Sequence, residues 1–175
     1  YKRQVLSTPL AKEFVEYFVN LNGIPREKKL AKYIPYSKHK LVLDRYEKIL
    51  KRNLKSVVLI KGIDEFISSI HRINKKMIVL SGGNQSEVNG ILKDKGLAGF
   101  FSGIYGGPKD KEENLKDVIL NGPVLYFGDS EIDYLVSKNN GFDFIFVYGA
   151  TNVKNWSQAA RDWKIVKSIN NFNEV

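Results

Sequence analysis

The stretch VLYFGDSEIDYL, residues 124–135, joins an apolar run to two carboxylates that lie four residues apart. The apolar run lacks polar alternation, which is typical of a strand covered on both faces in a parallel sheet. Asp129 follows this strand directly, and Asp133 falls one turn into the helix predicted next, on the same side. Two carboxylates that converge at a strand end suit a hard divalent cation, above all Mg2+ with retained waters. The alternative is that Asp129 or Ser130 caps the helix and Asp133 only favours the helix dipole.

Strands alternate with helices along the chain from about residue 56 onwards. The runs MIVL and FIFV, residues 77–80 and 144–147, share the unbroken apolar character of VLYF. We predict strands over residues 77–80, 100–105, 124–127, 142–148 and 164–169, and helices over residues 63–73, 86–95, 111–120, 132–139 and 155–162. Strands separated by helices of about ten residues form a parallel sheet, so we expect an α/β fold.

Apolar residues recur at helical spacing in the part of the chain before residue 56. One such stripe ends at Asn22–Gly23, and its members are Leu10, Phe14, Tyr17, Phe18 and Leu21. Pro25 opens a short second helix that runs through residue 32, and residues 40–53 form a third. We therefore predict a small helical lobe over residues 1–55 and an α/β core over residues 56–175.

The composition excludes several classes of protein. The chain has no cysteine, which rules out a thiolate nucleophile, a disulfide framework and thiolate-bound zinc. No stretch approaches the roughly 18 apolar residues of a membrane span. The net charge of +9 suits an anionic partner such as a phosphate ester, or else reflects lysines spread over solvated faces. The basic residues are not interleaved with aromatic residues on one strand, so stacking on single-stranded nucleic acid is not indicated.

Two further strand ends carry groups that suit an anion. Ser81, Gly82 and Gly83 follow the MIVL strand and precede a helix, where a hydroxyl and free backbone N–H groups favour anion binding. The alternative there is a plain helix entry capped by Ser81 or Asn84. The next strand leads into GGPKDK, residues 106–111, whose lysines can neutralise a phosphate as point charges. The alternative is a solvated lysine beside a helix cap.

This order of hydroxyl, lysine and acid pair on successive strand ends resembles the haloacid dehalogenase superfamily of phosphatases. VLSGG (residues 79–83), GGPKDKEENL (residues 106–115) and YFGDSEIDYL (residues 126–135) are similar to its second, third and fourth motifs. The resemblance implies a Rossmann-like parallel sheet and Mg2+ as cofactor. It implies that Ser81 binds phosphate with Gly82 and Gly83, and that Lys111 pairs with phosphate and nucleophile, with Lys109 as the second choice. Asp129 and Asp133 would form the Mg2+ site, Asp133 also acting as a supporting acid.

The helical lobe is similar to the cap of phosphoglycolate-phosphatase-like members of this superfamily. In the lobe, NGIPREKKL, residues 22–30, resembles a cap loop that reaches over the active site. By that likeness Arg26 contacts the substrate, and Lys29 is a further candidate. The alternative is a solvated basic turn.

The first motif of the superfamily, a DxD sequence that supplies the aspartate nucleophile, does not occur in this sequence. In this fold the strand that carries it lies between the MIVL and VLYF strands. Without it, several buried backbone groups would stay unpaired, each at a cost of roughly 1–3 kcal/mol. We therefore expect an upstream segment of about 5–6 strand residues followed by DxD. The other reading is a degenerate, non-catalytic member.

The resemblance thus predicts an Mg2+-dependent phosphatase that hydrolyses a small phosphorylated metabolite through an aspartyl-phosphate. We expect a cytoplasmic monomer or homodimer with neither nucleic acid nor membrane as partner. A phosphate- or Mg2+-binding regulatory module is the alternative. A serine esterase built on Ser130 would need a histidine base, but His39 and His71 both precede Ser130 in helical context, where we expect surface residues. A dinucleotide-binding domain would need a Gly-x-Gly-x-x-Gly turn, which the chain lacks.

Overall fold

The computed structural model describes residues 7–54 and 56–175. Its α-helices are α1 (Thr8–Asn20), α2 (Arg26–Leu30), α3 (Tyr36–Leu54), α4 (Ile63–Arg72), α5 (Gln85–Asp94), α6 (Lys111–Leu115), α7 (Glu131–Asn139) and α8 (Trp156–Ala159). The strands are β1 (Ile78–Asn84), β2 (Gly103–Gly107), β3 (Leu125–Gly128), β4 (Asp143–Val147) and β5 (Lys167–Ile169). Strands alternate with helices after residue 56, which confirms the predicted α/β class. In the described ranges, no helix is both long enough and apolar enough to cross a bilayer.

The strands form two parallel sheets. One sheet has the order β1–β2, and the other has the order β3–β4–β5. Within the described residues, β1 has no strand partner on the side away from β2, and β3 has none on the side away from β4. Six of the seven residues of β1 are accordingly only half-buried and Gly83 is exposed, whereas four of the five residues of β4 are buried.

Several predicted boundaries are wrong by a few residues. β1 continues through SGGN, where we predicted a loop, because Asn84 pairs with Gly107 after a register shift. The strand predicted at residue 100 begins at Gly103, since a 3-10 turn over Ala98–Phe100 precedes it. The helix predicted to reach residue 120 ends at Leu115, where the backbone tightens into i→i+3 hydrogen bonds. The predicted lobe includes residues 1–6 and Lys55, which lie outside the described residues, and its division from the core stays a prediction.

The main hydrophobic core lies against both faces of β4. Phe144 and Phe146 are fully buried on one face and pack with Tyr134 and Trp163. A second cluster covers the other face and contains Ile145, Val147, Ile169, Phe127 and Phe172. Burial on both faces is the physical reason why FIFV shows no polar alternation.

The helical lobe meets the α/β core through a contact between two glycines. Gly23 adopts a left-handed backbone conformation with φ of +90°, in the turn between α1 and α2. A Cβ atom added at Gly82 would lie 2.4 Å from the carbonyl oxygen of Gly23, and one added at Gly23 would lie 2.9 Å from Oγ of Ser130. Any side chain at these positions would therefore push the lobe away from the core.

We predict that Gly82→Ala destabilises the protein by about 1–3 kcal/mol, because the added methyl group overlaps backbone atoms that cannot rotate away. Urea unfolding of the wild type and the variant measures the change. Gly90→Ala is the matched control: a Cβ at Gly90 meets no atom within 4 Å, and alanine is the better residue inside α5. Equal stability of Gly82→Ala and wild type would contradict the observed contact.

Candidate active site

The end of β3 and the start of α7 place two carboxylates beside each other. Gly128 ends β3, and a Cβ there would lie 2.2 Å from Cβ of Asp133, so only glycine permits this approach. Ser130 is the N-cap of α7 and accepts a hydrogen bond from the backbone N–H of Asp133 at 3.3 Å. Ser130, rather than Asp129, therefore caps the helix, which leaves the Asp129 side chain available for another role.

A buried ion pair joins α6 to α7. Nζ of Lys111 donates to Oδ1 of Asp133, and the two side chains are 7% and 3% exposed. The hydroxyl of Tyr126 also donates to Oδ1 of Asp133 at 3.0 Å, and that of Ser130 donates to Oδ2 at 2.6 Å. Burial, followed by the negative charge of Asp133, raises the pKa of Tyr126. Both oxygens of Asp133 thus accept hydrogen bonds from the protein, and its predicted role as a metal ligand stays a prediction.

The position of Lys111 follows from the cap of α6. Asp110 is the N-cap and forms a capping box with Glu113, so α6 begins at Lys111 and turns its side chain inward. Lys28 of the helical lobe donates to both acids of this box at 2.7 Å. Lys109, in contrast, pairs with Asp117 at the surface. The structure therefore brings Lys111, and not Lys109, to the other predicted site residues.

Asp129 lines a cavity and has an unusual environment for a carboxylate. Burial raises the pKa of Asp129, and the charge of Asp133 raises it further, while Lys111 opposes both. Nδ2 of Asn22, from the helical lobe, donates to Oδ2 of Asp129 at 3.1 Å. Asn22 falls in the stretch that the resemblance places over the active site, but no local pattern connects it with a residue 107 positions away.

Ser81, Gly82 and Gly83 of β1 line the same cavity as Asp129. Oγ of Ser81 accepts a hydrogen bond from the backbone N–H of Gly83 at 3.0 Å. No sequence pattern indicated that Gln85 belongs to the site. Its side chain donates to the carbonyl of Ile104 and accepts from the N–H of Gly106, both at 2.5 Å. Gln85 thereby ties the end of β1 to the end of β2, which sets the distance between the serine and lysine motifs.

The two predicted residues of the lobe differ in their contacts. Arg26 forms an ion pair with Glu87 of α5 at 2.8 Å and lies 5.1 Å from the ring centroid of Tyr46. Lys29 is buried, and its Nζ donates to the carbonyl of Phe18 at 3.0 Å. Burial lowers the pKa of Lys29. Neither residue is a solvated surface cation.

All of the predicted site residues line one cavity of about 390 Å³ between the helical lobe and the α/β core. Its wall includes Ser81, Gly82, Gly83, Lys111, Asp129, Asp133, Arg26 and Lys29. The described residues nowhere gather three histidine or acidic side chains into one metal-binding cluster. Mg2+ is commonly held by one or two carboxylates together with water and substrate phosphate. Burial and the charge of Asp133 raise the pKa of Asp129, and a bound cation would offset that charge, so Asp129 fits such an ion.

A family model described as haloacid dehalogenase-like hydrolase matches residues 4–147. The match covers well over half of the chain, which therefore belongs to the haloacid dehalogenase-like hydrolase family. A comparison with curated proteins finds no significant match.

Solved structures show the same fold at low sequence identity. A haloacid dehalogenase-like hydrolase from Streptococcus pneumoniae has a TM-score of 0.69 at 14% identity, over 98% of this chain and 80% of that one. A predicted phosphatase from Clostridium acetobutylicum has a TM-score of 0.70 at 19% identity, over 95% and 88%. A Bacillus subtilis hydrolase of the same type, solved with magnesium bound, has a TM-score of 0.62 at 16% identity, over 97% and 81%.

We predict that Lys111→Met destabilises the protein by about 3–5 kcal/mol, because it leaves Asp133 buried without a cation. Replacing both partners, in Lys111→Met with Asp133→Asn, should recover much of this loss. Urea unfolding of the single and double variants gives the coupling free energy.

Lys109→Met is the control, because the side chains of Lys109 and Asp117 are 56% and 54% exposed. An exposed pair contributes at most about 1 kcal/mol. Similar losses for Lys109→Met and Lys111→Met would contradict the assignment of the buried pair to Lys111.

Proposed function

We propose that this chain is part of an Mg2+-dependent phosphatase that hydrolyses a small phosphorylated metabolite through an aspartyl-phosphate. The observation that carries the proposal is the convergence of Ser81, Lys111 and Asp129 on one cavity. They come from the middle of β1, the start of the helix after β2, and the residue after β3. Ligands of parallel α/β sheets bind at strand ends. We further propose that the protein is a cytoplasmic monomer or homodimer and that neither nucleic acid nor membrane is its partner.

The residues of the cavity suit phosphoryl transfer, which depends mainly on positioning and on charge stabilisation. An ammonium group has three donors, so Lys111 can hold Asp133 and still donate to a phosphoryl oxygen. Ser81 of β1 contributes a hydroxyl group to the same cavity. Mg2+ held by Asp129 would neutralise charge on the transferring group. The lobe covers the cavity and limits the access of water to the reacting group.

The nucleophile is proposed to be an aspartate on a segment upstream of Tyr1. Support comes from the two strand edges, on β1 and β3, that have no partner within the described residues. Both strands line the cavity, β1 through Leu80–Gly83 and β3 through its last two residues, Phe127 and Gly128. A parallel strand paired with both edges would direct its own carboxyl end to the same place, beside Asp129 and Lys111.

The second candidate is a non-catalytic module that binds phosphate or Mg2+. The lack of a DxD motif in these 175 residues favours it, because Ser81, Lys111 and Asp129 can bind an anion and a cation without a nucleophile. The two functions differ in one measurable property. A phosphatase releases inorganic phosphate, whereas a binding module takes up phosphate without turnover.

We predict that the natural full-length protein hydrolyses p-nitrophenyl phosphate in the presence of Mg2+ and that EDTA abolishes the activity. Asp129→Asn should reduce kcat by about 10²-fold or more, since it removes a charged group that acts on the transferring phosphoryl group. The matched control is Asp143→Asn, an exposed aspartate at the start of β4, which should keep full activity.

Full activity of the folded Asp129→Asn variant would overturn the metal assignment. Phosphate binding by calorimetry without any turnover in the wild type would favour the non-catalytic module instead. Thermal unfolding of each variant shows whether a loss of activity reflects a loss of the fold.

A further inference from the structure

The exposed side of α3 carries a row of cations that the candidate active site does not use. The helix has six basic and two acidic residues, so these 19 of the 175 residues hold +4 of the net charge of +9. Both acids, Asp44 and Glu47, already form ion pairs with lysines one turn away in the same helix. The other four cations of the helix are exposed, namely Lys38, Arg45, Lys48 and Arg52. Within residues 7–54 and 56–175, no ion pair includes any of these four.

These cations share one side of α3 with two exposed aliphatic residues. Positions 38, 41, 45, 48 and 52 alternate spacings of three and four residues, which places their side chains in one row along the helix. Leu41 belongs to this row and is 43% exposed, and Ile49 lies beside the row and is 63% exposed. The row is about 21 Å long, at a rise of about 1.5 Å per residue. We call this set the basic face of α3, and its members are Lys38, Leu41, Arg45, Lys48, Ile49 and Arg52.

The basic face is separate from the cavity. Tyr46 and Leu50 line the cavity from α3, whereas no residue of the basic face does so. A substrate in the cavity therefore cannot contact these charges. An exposed patch of one charge favours association with a partner of the opposite charge.

The composition of the basic face indicates what kind of partner fits it. A second copy of this chain would place cation against cation, which opposes binding. In helices that lie on membranes the cations stand opposite an apolar face, but here they occupy the row itself. Nucleic-acid phosphates would leave Leu41 and Ile49 without an apolar contact, and the basic face has no aromatic residue for stacking on bases. An acidic amphipathic helix provides both the opposite charge and the apolar contact.

We infer that the basic face of α3 is the docking surface for an acidic amphipathic helix of a partner protein. Acidic side chains at heptad spacing on that helix would meet the four cations, and its apolar residues would cover Leu41 and Ile49. The inference goes beyond the proposed function and does not depend on it, because the surface lies outside the cavity.

The test uses two synthetic helical peptides of identical composition, each about three heptads long. The matched peptide presents its glutamate and leucine residues on one face, whereas the permuted peptide distributes the same residues around the helix. Fluorescence anisotropy of the labelled peptides with the natural full-length protein, at low ionic strength, measures each Kd. We expect the matched peptide to bind at least about tenfold more tightly, because only its face is complementary to the basic face. Added salt should weaken this binding.

A fourfold variant assigns the binding to the basic face. Glutamine removes each charge and keeps a high helix propensity, so the variant combines Lys38→Gln, Arg45→Gln, Lys48→Gln and Arg52→Gln. It should weaken binding of the matched peptide by about 10²-fold, since one exposed ion pair changes a binding constant a few-fold and four act together.

The matched control also removes four charges, but from exposed lysines of the α/β core. It combines Lys75→Gln, Lys93→Gln, Lys154→Gln and Lys164→Gln. This variant should bind the matched peptide nearly as tightly as the wild type does. Thermal unfolding of both variants shows that the fold is retained.

Several outcomes would overturn the inference. These are equal binding of the two peptides, undiminished binding by the fourfold variant, and no binding of either peptide to the wild type. Vesicles of phosphatidylcholine and phosphatidylglycerol and a short DNA duplex are the other anionic probes, at the same ionic strength. Tighter binding of either probe than of the matched peptide would identify a bilayer or a nucleic acid as the better partner and exclude the helix.

Discussion

The candidate site depends on one buried ion pair, between Lys111 and Asp133. It links α6, which follows β2, to α7, which follows β3, and so it connects the two sheets through side chains where no strand pairing joins them in the described residues. A buried pair stabilises a fold only when further hydrogen bonds satisfy the charged groups. Here the hydroxyl groups of Tyr126 and Ser130 donate the further hydrogen bonds to the carboxylate of Asp133. Asp129 and residues Ser81–Gly83 of β1 line the same cavity as this ion pair.

Much of the α/β core could be predicted from the sequence, because unbroken apolar runs have a direct physical cause. FIFV contacts a hydrophobic cluster on each face of its sheet, and Tyr126 and Phe127 of VLYF belong to the same two clusters, whereas Leu125 is 48% exposed. The proximity of Asp129 and Asp133 could also be predicted, since their spacing places both carboxylates on one side of a helix start. The choice between Lys109 and Lys111 was harder. It depends on the capping box of Asp110 and Glu113, which determines where α6 begins.

Other parts of the site could not be predicted because their contacts join distant segments. Asn22 reaches Asp129, and Gln85 bonds to the backbone of both Ile104 and Gly106. The local sequence gives Asn22 as a helix terminator and as the first residue of NGIPREKKL, and it places Gln85 just before the helix predicted over residues 86–95. The extension of β1 through SGGN has the same origin, since its pairing with Gly107 is a tertiary contact. The burial of Lys29 could not be predicted either, because burial is a property of the folded chain.

The bridge from Lys28 to Asp110 and Glu113 gives the lobe a different response to ionic strength from that of the core. Its three side chains are between 38% and 47% exposed, so dissolved ions reach them and screen their attraction. The ion pair of Lys111 is shielded from solvent and is screened much less. Concentrated salt should therefore weaken this one attachment of the lobe, while the shielded pairs Arg26–Glu87 and Lys111–Asp133 keep their arrangement. Ionic strength would then act on the entry of ligand rather than on the reacting groups.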